Sequence, residues 1–236
     1  QPMRPLPPAP VDPRDRRAAH SAWVLGRFEH EARQILDAHP VNAARRADGL
    51  PPANTLLTRG AGRIRRLEPL ERDGIPLRTA CIAGDRTLLG LARWLGAETV
   101  TWPAATANHD THVERKFAVA ARALETSDLV VLHLKGTDIA AHDRKPKKKA
   151  AFLSRIDAAL GELVAGHDGP LRIAVGSDHA TYSTTGRHGA DPVPVLLWGT
   201  DIEADVVETY SEASVVDGRL GRFPLQSLLG KLLDLE

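Results

Sequence analysis

Asp138 and His142 stand four residues apart in KGTDIAAH (135–142), Asp178 and His179 are neighbours in GSDHATYS (176–183), and His188 follows nine positions later in GRHGADPVPVLLWG (186–199). Carboxylate oxygen and imidazole nitrogen together make a donor set for Mn²⁺ or Zn²⁺ and, less well, Mg²⁺. Each group borders an apolar run: DLVVLHL (128–134), LRIAVG (171–176) or VPVLLWG (193–199). Such runs read as buried strands, and in open α/β sheets ligands gather at the carboxyl ends of strands. Five ligands there could hold two ions about 3.5–4 Å apart, the spacing that clamps a transferring phosphoryl group. Singly, each residue is weak evidence in a chain with ten histidines. Their conjunction at three strand ends is what points to a metal. His133 lies inside its run and reads as structural, and His109, His112 and His167 have no such company.

The elements that must position these groups alternate. Residues 17–38 read as a helix with Trp23, Phe28, Ile35 and Leu36 on one face. NTLLTRG (54–60) and GIPLRTACIAG (74–84) read as strands, the second leading through Asp85, a possible N-cap, into a helix over 86–95. Helices are predicted over 112–127, with Val113, Phe117 and Leu124 inward, and over 148–166, with Phe152, Ile156, Leu160 and Leu163 at helical spacing; a closing helix spans 225–235. Strands alternating with helices predict an α/β fold, a largely parallel sheet flanked by helices. The opening QPMRPLPPAPVDPRDR (1–16) is too rich in proline for regular structure and reads as a linker or terminus.

Composition narrows the function classes. Of 236 residues, 42% are hydrophobic, enough for a core, and 31 basic against 30 acidic residues leave a net charge of +1. That balance, with 4% aromatics, argues against a nucleic-acid partner. RKPKKK (144–149) reads as a solvated loop and helix start, while RIRR (63–66) is open to attracting a phosphorylated molecule. No run approaches the roughly 20 apolar residues of a membrane span, and no signal peptide is visible. The single cysteine, Cys81, fits a reducing, cytoplasmic setting and reads as a small buried hydrophobe.

Taken together, PPANTLLTRGAG, VVLHLKGTDIAAHD, KKKAAFLSRID and GSDHATYSTTGRHGADPVPVLLWG resemble the archaeal-type, cofactor-independent phosphoglycerate mutases of the alkaline phosphatase superfamily. The resemblance runs from about residue 30 to the end. It implies an alkaline-phosphatase-like core at 76–236 without its first part, preceded at 17–75 by the end of an inserted substrate-binding domain. By position it makes Asp138, His142 and His188 the ligands of one ion, and Asp178 and His179 two ligands of another. Lys135, Lys116 and Arg59 match basic positions suited to the substrate phosphate, a role guanidinium and ammonium groups can fill. Asp157 reads as structural, and Asn54 and Arg45 fall in the substrate-binding region without a defined role.

The implied cofactors are two divalent ions, Mn²⁺ first, with Zn²⁺, Co²⁺ or Mg²⁺ as alternatives. The implied reaction interconverts 2- and 3-phosphoglycerate in glycolysis through a phosphoserine. The family's early Asp-Gly strand end and its nucleophilic serine do not appear here. Ser177 is at the wrong motif position, and Ser183, Thr184 and Thr185 read as loop residues. The expectation is therefore the later portion of a longer enzyme, inactive or incomplete alone, whose partners are a small phosphorylated substrate and the missing N-terminal fragment. The alternatives are another phosphotransferase or phosphatase of the superfamily, phosphonate-acting or homoserine-kinase-like, and a catalytically silent module.

Overall fold

Asp15 accepts hydrogen bonds from the amides of Arg17 and Ala18 and so starts the first helix, α1 (Arg16–Ala38). The computed structural model describes residues 6–58, 60, 62, 63, 65 and 67–234, and the chain divides into two units, residues 1–65 and 66–236. In the first, His39 ends α1 and caps α2 (Pro40–Ala47), whose proline sits in the first turn, where no donor is missed. Asn42, 2% exposed, bonds Ala53 through both ends of its amide and also reaches the Leu36 carbonyl. Residues 54–58 form no strand, contrary to the reading of NTLLTRG. The segment beside them is pinned by the Asn42 side chain, and no partner strand pairs with 54–58 among the described residues. Asn54 bonds Asp37, and Arg45 bonds the Pro51 carbonyl. The apolar face read along α1 exists as a pattern, but Trp23, Phe28 and Ile35 are each more than half exposed.

The second unit opens on a two-residue hairpin, β1 (Glu71–Arg72) with β2 (Ile75–Pro76). Asp73 and Gly74 both take positive φ there, as a twist-matched tight turn requires. This hairpin splits the single strand read in GIPLRTACIAG, so β3 begins at Thr79 (Thr79–Ile82). Asp85 accepts from the amides of Thr87 and Leu88 to start α3 (Arg86–Trp94), as its position suggested. After β4 (Glu98–Val100) come α4 (Val113–Leu124) and β5 (Leu129–Leu132). β3 is central, with β4 and β5 parallel on either side.

Cys81, Ala83, Leu89, Ala92 and Ala97 form one buried cluster beneath α3. Val113, Phe117, Phe152 and Ala159 form a second, with Ile156, Leu160 and Leu163 packed against it. It joins α4 to α6 (Pro146–Ala165), the helix that follows the short α5 (Gly136–His142). Beyond α6, β6 (Arg172–Val175), the hairpin of β7 (Ala180–Tyr182) and β8 (Arg187–Gly189), and β9 (Leu196–Gly199) complete the strands. β9 runs antiparallel to β6 and starts only after Pro192 and Pro194, which lack ladder donors. A 3₁₀ turn (Leu225–Ser227) leads into α7 (Leu228–Leu233).

The start of β3 is tied to the start of β5 by Arg78. Its backbone amide and its guanidinium both donate to the Asp128 carboxylate, with the shortest contact at 2.6 Å. Those bonds pull the Asp128 acid down to about 2. The ordinary value is about 3.9, so between the two the unfolded chain binds more protons. The pair therefore stabilises fully above about pH 4 and is lost as pH falls toward 2. Asp128→Asn is expected to melt below wild type at pH 5, with the difference closing by pH 2 in thermal scans.

Candidate metal centre

Asp138 and His142 lie one turn apart on α5, so their side chains share a face. The helix ends abruptly after His142. The amides of Arg144 and Lys145 return to the carbonyls of Ala141 and Ala140, and Arg144 takes φ 56°. His188 comes from the middle of β8 and meets this face. His142 Nε2 is 3.0 Å from His188 Nε2 and 3.2 Å from Asp138 Oδ1, and His188 Nε2 is 3.8 Å from that oxygen. Ligands bound at about 2.0–2.2 Å to one small divalent ion stand roughly 3.0–3.5 Å apart, so this spacing is close to that of a bound set.

The chemistry of the contacts fits as well. His142 Nδ1 is 2.8 Å from the Gly186 carbonyl, an acceptor only, so Nδ1 carries the proton and Nε2 presents its lone pair. A bare ring nitrogen 3.0 Å from a second one requires a proton or a cation between them. Gly186 makes the approach possible. It sits at φ 68°, and a Cβ there would lie 2.8 Å from the His142 carbonyl oxygen.

His179 joins the same centre. One ligand atom each from Asp138, His179 and His188 falls within 4.8 Å of the others, and the His179 and His188 rings stack at 3.8 Å. Asp178 lies at the rim, its carboxylate 3.4 Å from His179 Nε2 and its side chain 85% exposed. All five residues read as ligands thus come within one region, with His179 bridging the two groups.

The basic residues divide. Lys135 stands at the start of α5 and pairs with Asp85 at 3.2 Å, joining the ends of β3 and β5. Burial is the largest single influence on the Asp85 acid and pushes it up. The hydrogen bonds from Thr87, Lys135 and Leu88 together outweigh burial and leave the acid below its ordinary value. Lys116 is fully buried, and its ammonium donates to the carbonyls of Thr106 and His133 at 3.0 and 3.3 Å. Arg59 lies outside the described residues. His133 has a buried Nδ1 with no partner, and burial pushes its pKa down. Ser183 to Thr185 form the hairpin turn, and Asp157 lies within α6.

Two residues of the centre were not read from the sequence. Thr181 is 7% exposed and bonds both Asp138 and His179, and Gly186 supplies the carbonyl that orients His142. Thr181 left a signal: it stands two residues beyond His179 at a strand entry, hence on the same face.

A cavity of about 2270 Å³ adjoins the centre. It is lined by Leu129, Val130 and Leu132 of β5 and by all four residues of β6. Side chains alternate between faces along a strand, so successive lining residues mean that strand edges border the space. β5 pairs only with β3 and β6 only with β9 among the described residues.

Comparison with known proteins identifies relatives. The family model described as the metalloenzyme superfamily matches residues 24–227. The 2,3-bisphosphoglycerate-independent phosphoglycerate mutase of Methanopyrus kandleri is 37% identical over 100% of this chain and 55% of its own length. That of Picrophilus torridus is 36% identical over 90% of this chain and 52% of its own. Among solved structures, a Pyrococcus horikoshii protein superposes with a TM-score of 0.79 at 32% identity, covering 93% of this chain and 58% of that one. The cofactor-independent phosphoglycerate mutase of Thermoplasma acidophilum gives 0.62 at 27% identity, covering 99% and 57%. The chain spans about half the length of the curated relatives it matches.

Proposed function

The chain belongs to the metalloenzyme superfamily, and on that premise we propose that it is the metal-binding portion of a phosphoglycerate mutase interconverting 2- and 3-phosphoglycerate in glycolysis, in the cytoplasm. The observation that carries the reading is the convergence of Asp138, His142, His188 and His179 from three separate parts of the chain. Asp138, His142 and His188 would hold one ion, and Asp178 and His179 would contribute to a second; two divalent cations there, Mn²⁺ first, would supply Lewis acidity to a phosphoryl group.

The chain's own residues bind and orient the substrate. Lys135 lines the cavity and offers its ammonium beside the centre, with Asp85 holding it in place. Lys116 and Arg59 are the further basic residues of the substrate-binding set, Lys116 acting through its charge because its ammonium is held by two backbone carbonyls. The serine that takes the phosphoryl group belongs to the part of the enzyme this chain does not span. Its oxygen bonds phosphorus as the substrate ester bond breaks and its proton goes to the freed glycerate oxygen; the serine–phosphorus bond then breaks as the other glycerate hydroxyl takes the phosphoryl group and gives its proton back to serine. Residues 17–75 are the end of an inserted substrate-binding domain, and 76–236 are the metal-binding phosphatase-like core. The cavity bordered by β5 and β6 supports a strand of the remaining N-terminal portion entering there, since unpaired strand edges seek ladder partners.

The test is the full polypeptide with 3-phosphoglycerate, following 2-phosphoglycerate and free phosphate. Expected is 2-phosphoglycerate formation that stops with chelator and returns with Mn²⁺. Phosphate release without isomerisation would make the protein a phosphatase instead.

A further inference from the structure

We propose that Thr181 is a positioning residue that locks the two groups of metal ligands to each other through one hydroxyl. This inference rests on the metal-centre part of the proposed function. Thr181 Oγ1 is 2.8 Å from Asp138 Oδ1 and 3.2 Å from His179 Nδ1, and no other side chain among the described residues bonds both.

Proton bookkeeping assigns the direction of each bond. An ionised carboxylate only accepts, so the single hydroxyl hydrogen goes to Asp138. Thr181 Oγ1 must then accept from His179, which places the neutral ring's proton on Nδ1. The Ala180 carbonyl, 3.3 Å from the same nitrogen, can also only accept and requires the same tautomer. His179 Nε2 is left bare on the side where Asp178, 3.4 Å away, also presents its carboxylate. The hydroxyl therefore aims one carboxylate oxygen and selects one imidazole tautomer at once. Oriented ligands of this kind raise metal affinity because the ion need not freeze them on binding.

The hydroxyl is itself held in place. Thr181 is nearly buried, it sits on β7 paired with His188 on β8, and its own carbonyl accepts from Lys149 of α6 at 3.1 Å. Lys149 belongs to the basic run read as solvated. Its neighbours are exposed, but this lysine reaches inward to the hairpin that carries the centre.

Thr181→Val keeps the shape and removes the hydroxyl, whereas Thr181→Ser keeps the hydroxyl. By titration calorimetry with Mn²⁺, Thr181→Val is expected to bind about 10–100-fold more weakly than wild type. Thr181→Ser, which retains the outer partner, should fall well short of that loss. Independently of any metal, long-range proton–nitrogen NMR of the wild-type chain should place the His179 proton on Nδ1.

Wild-type affinity in Thr181→Val, equal weakening in Thr181→Ser, or a His179 proton on Nε2 would each overturn the proposal. If Thr181→Val fails to fold, the serine variant and the wild-type tautomer still decide it. A protein whose Mn²⁺ affinity depends on Thr181 yet never forms 2-phosphoglycerate fails the mutase reading alone.

Discussion

Asp138→Asn is expected to weaken Mn²⁺ binding by more than about 100-fold, beyond the loss usual for an outer partner. Asparagine matches the carboxylate in shape and can still accept from Thr181, so the local packing survives. What disappears is the negative charge on the oxygen that faces His142 Nε2 at 3.2 Å and His188 Nε2 at 3.8 Å. Two imidazoles and an amide oxygen make a neutral donor set, which divalent cations favour far less than one containing a carboxylate. Titration calorimetry reads the effect directly. The melting temperature without metal should change far less than the affinity, because asparagine keeps the shape of this half-buried side chain and its bond from Thr181. Unchanged Mn²⁺ affinity would place the ion elsewhere.

Lys116→Ala is expected to cause the largest loss of stability, about 2–5 kcal/mol, in line with large-to-small substitutions at buried sites. For a chain of this size that lowers the melting temperature by about 4–20 °C. The side chain is fully buried, and truncation leaves a cavity and deprives the Thr106 and His133 carbonyls of their donor. Lys116→Met fills the cavity but not the hydrogen bonds and should lie between alanine and wild type.

The ammonium has a cost of its own, because burial pushes the Lys116 pKa below its ordinary value. In the window between the folded and the unfolded pKa the unfolded state binds more protons, so stability rises with pH there. The upper end of that window is near 10.4, the unfolded value. Lys116→Met should lack this rise in thermal scans on the alkaline side, and a wild-type curve without it would show that the ammonium is not strained.

Periodicity and capping alone determined α3, α4 and α6 and the runs that become β5, β6 and β9, but not α5 or the β7–β8 hairpin, which carry the ligands. Asp85 starts α3 and Phe152 with Ile156 packs α6 on α4 because helix spacing and N-cap chemistry are local properties. The ligand types were legible for the same reason: an acid or an imidazole beside an apolar run is visible without coordinates. Local pattern failed where a side chain or a turn overrode it. Asn42 holds the segment at Ala53, beside the residues read as a strand, and the Asp73–Gly74 turn draws Ile75 and Pro76 into a hairpin, so that GIPLRTACIAG breaks at Leu77–Arg78.

Only the tertiary structure decided which ligands meet. Residues 138, 142, 179 and 188 converge because α5 and the β7–β8 hairpin are held together by contacts between residues more than forty positions apart, such as His142 with Gly186 and Thr181 with Asp138. Likewise, the resemblance makes Lys116 a residue suited to the substrate phosphate, and only packing puts its ammonium on two backbone carbonyls. The physical reason is common to both. Donor chemistry belongs to a residue, whereas distance, burial and tautomer belong to the neighbours that folding brings to it.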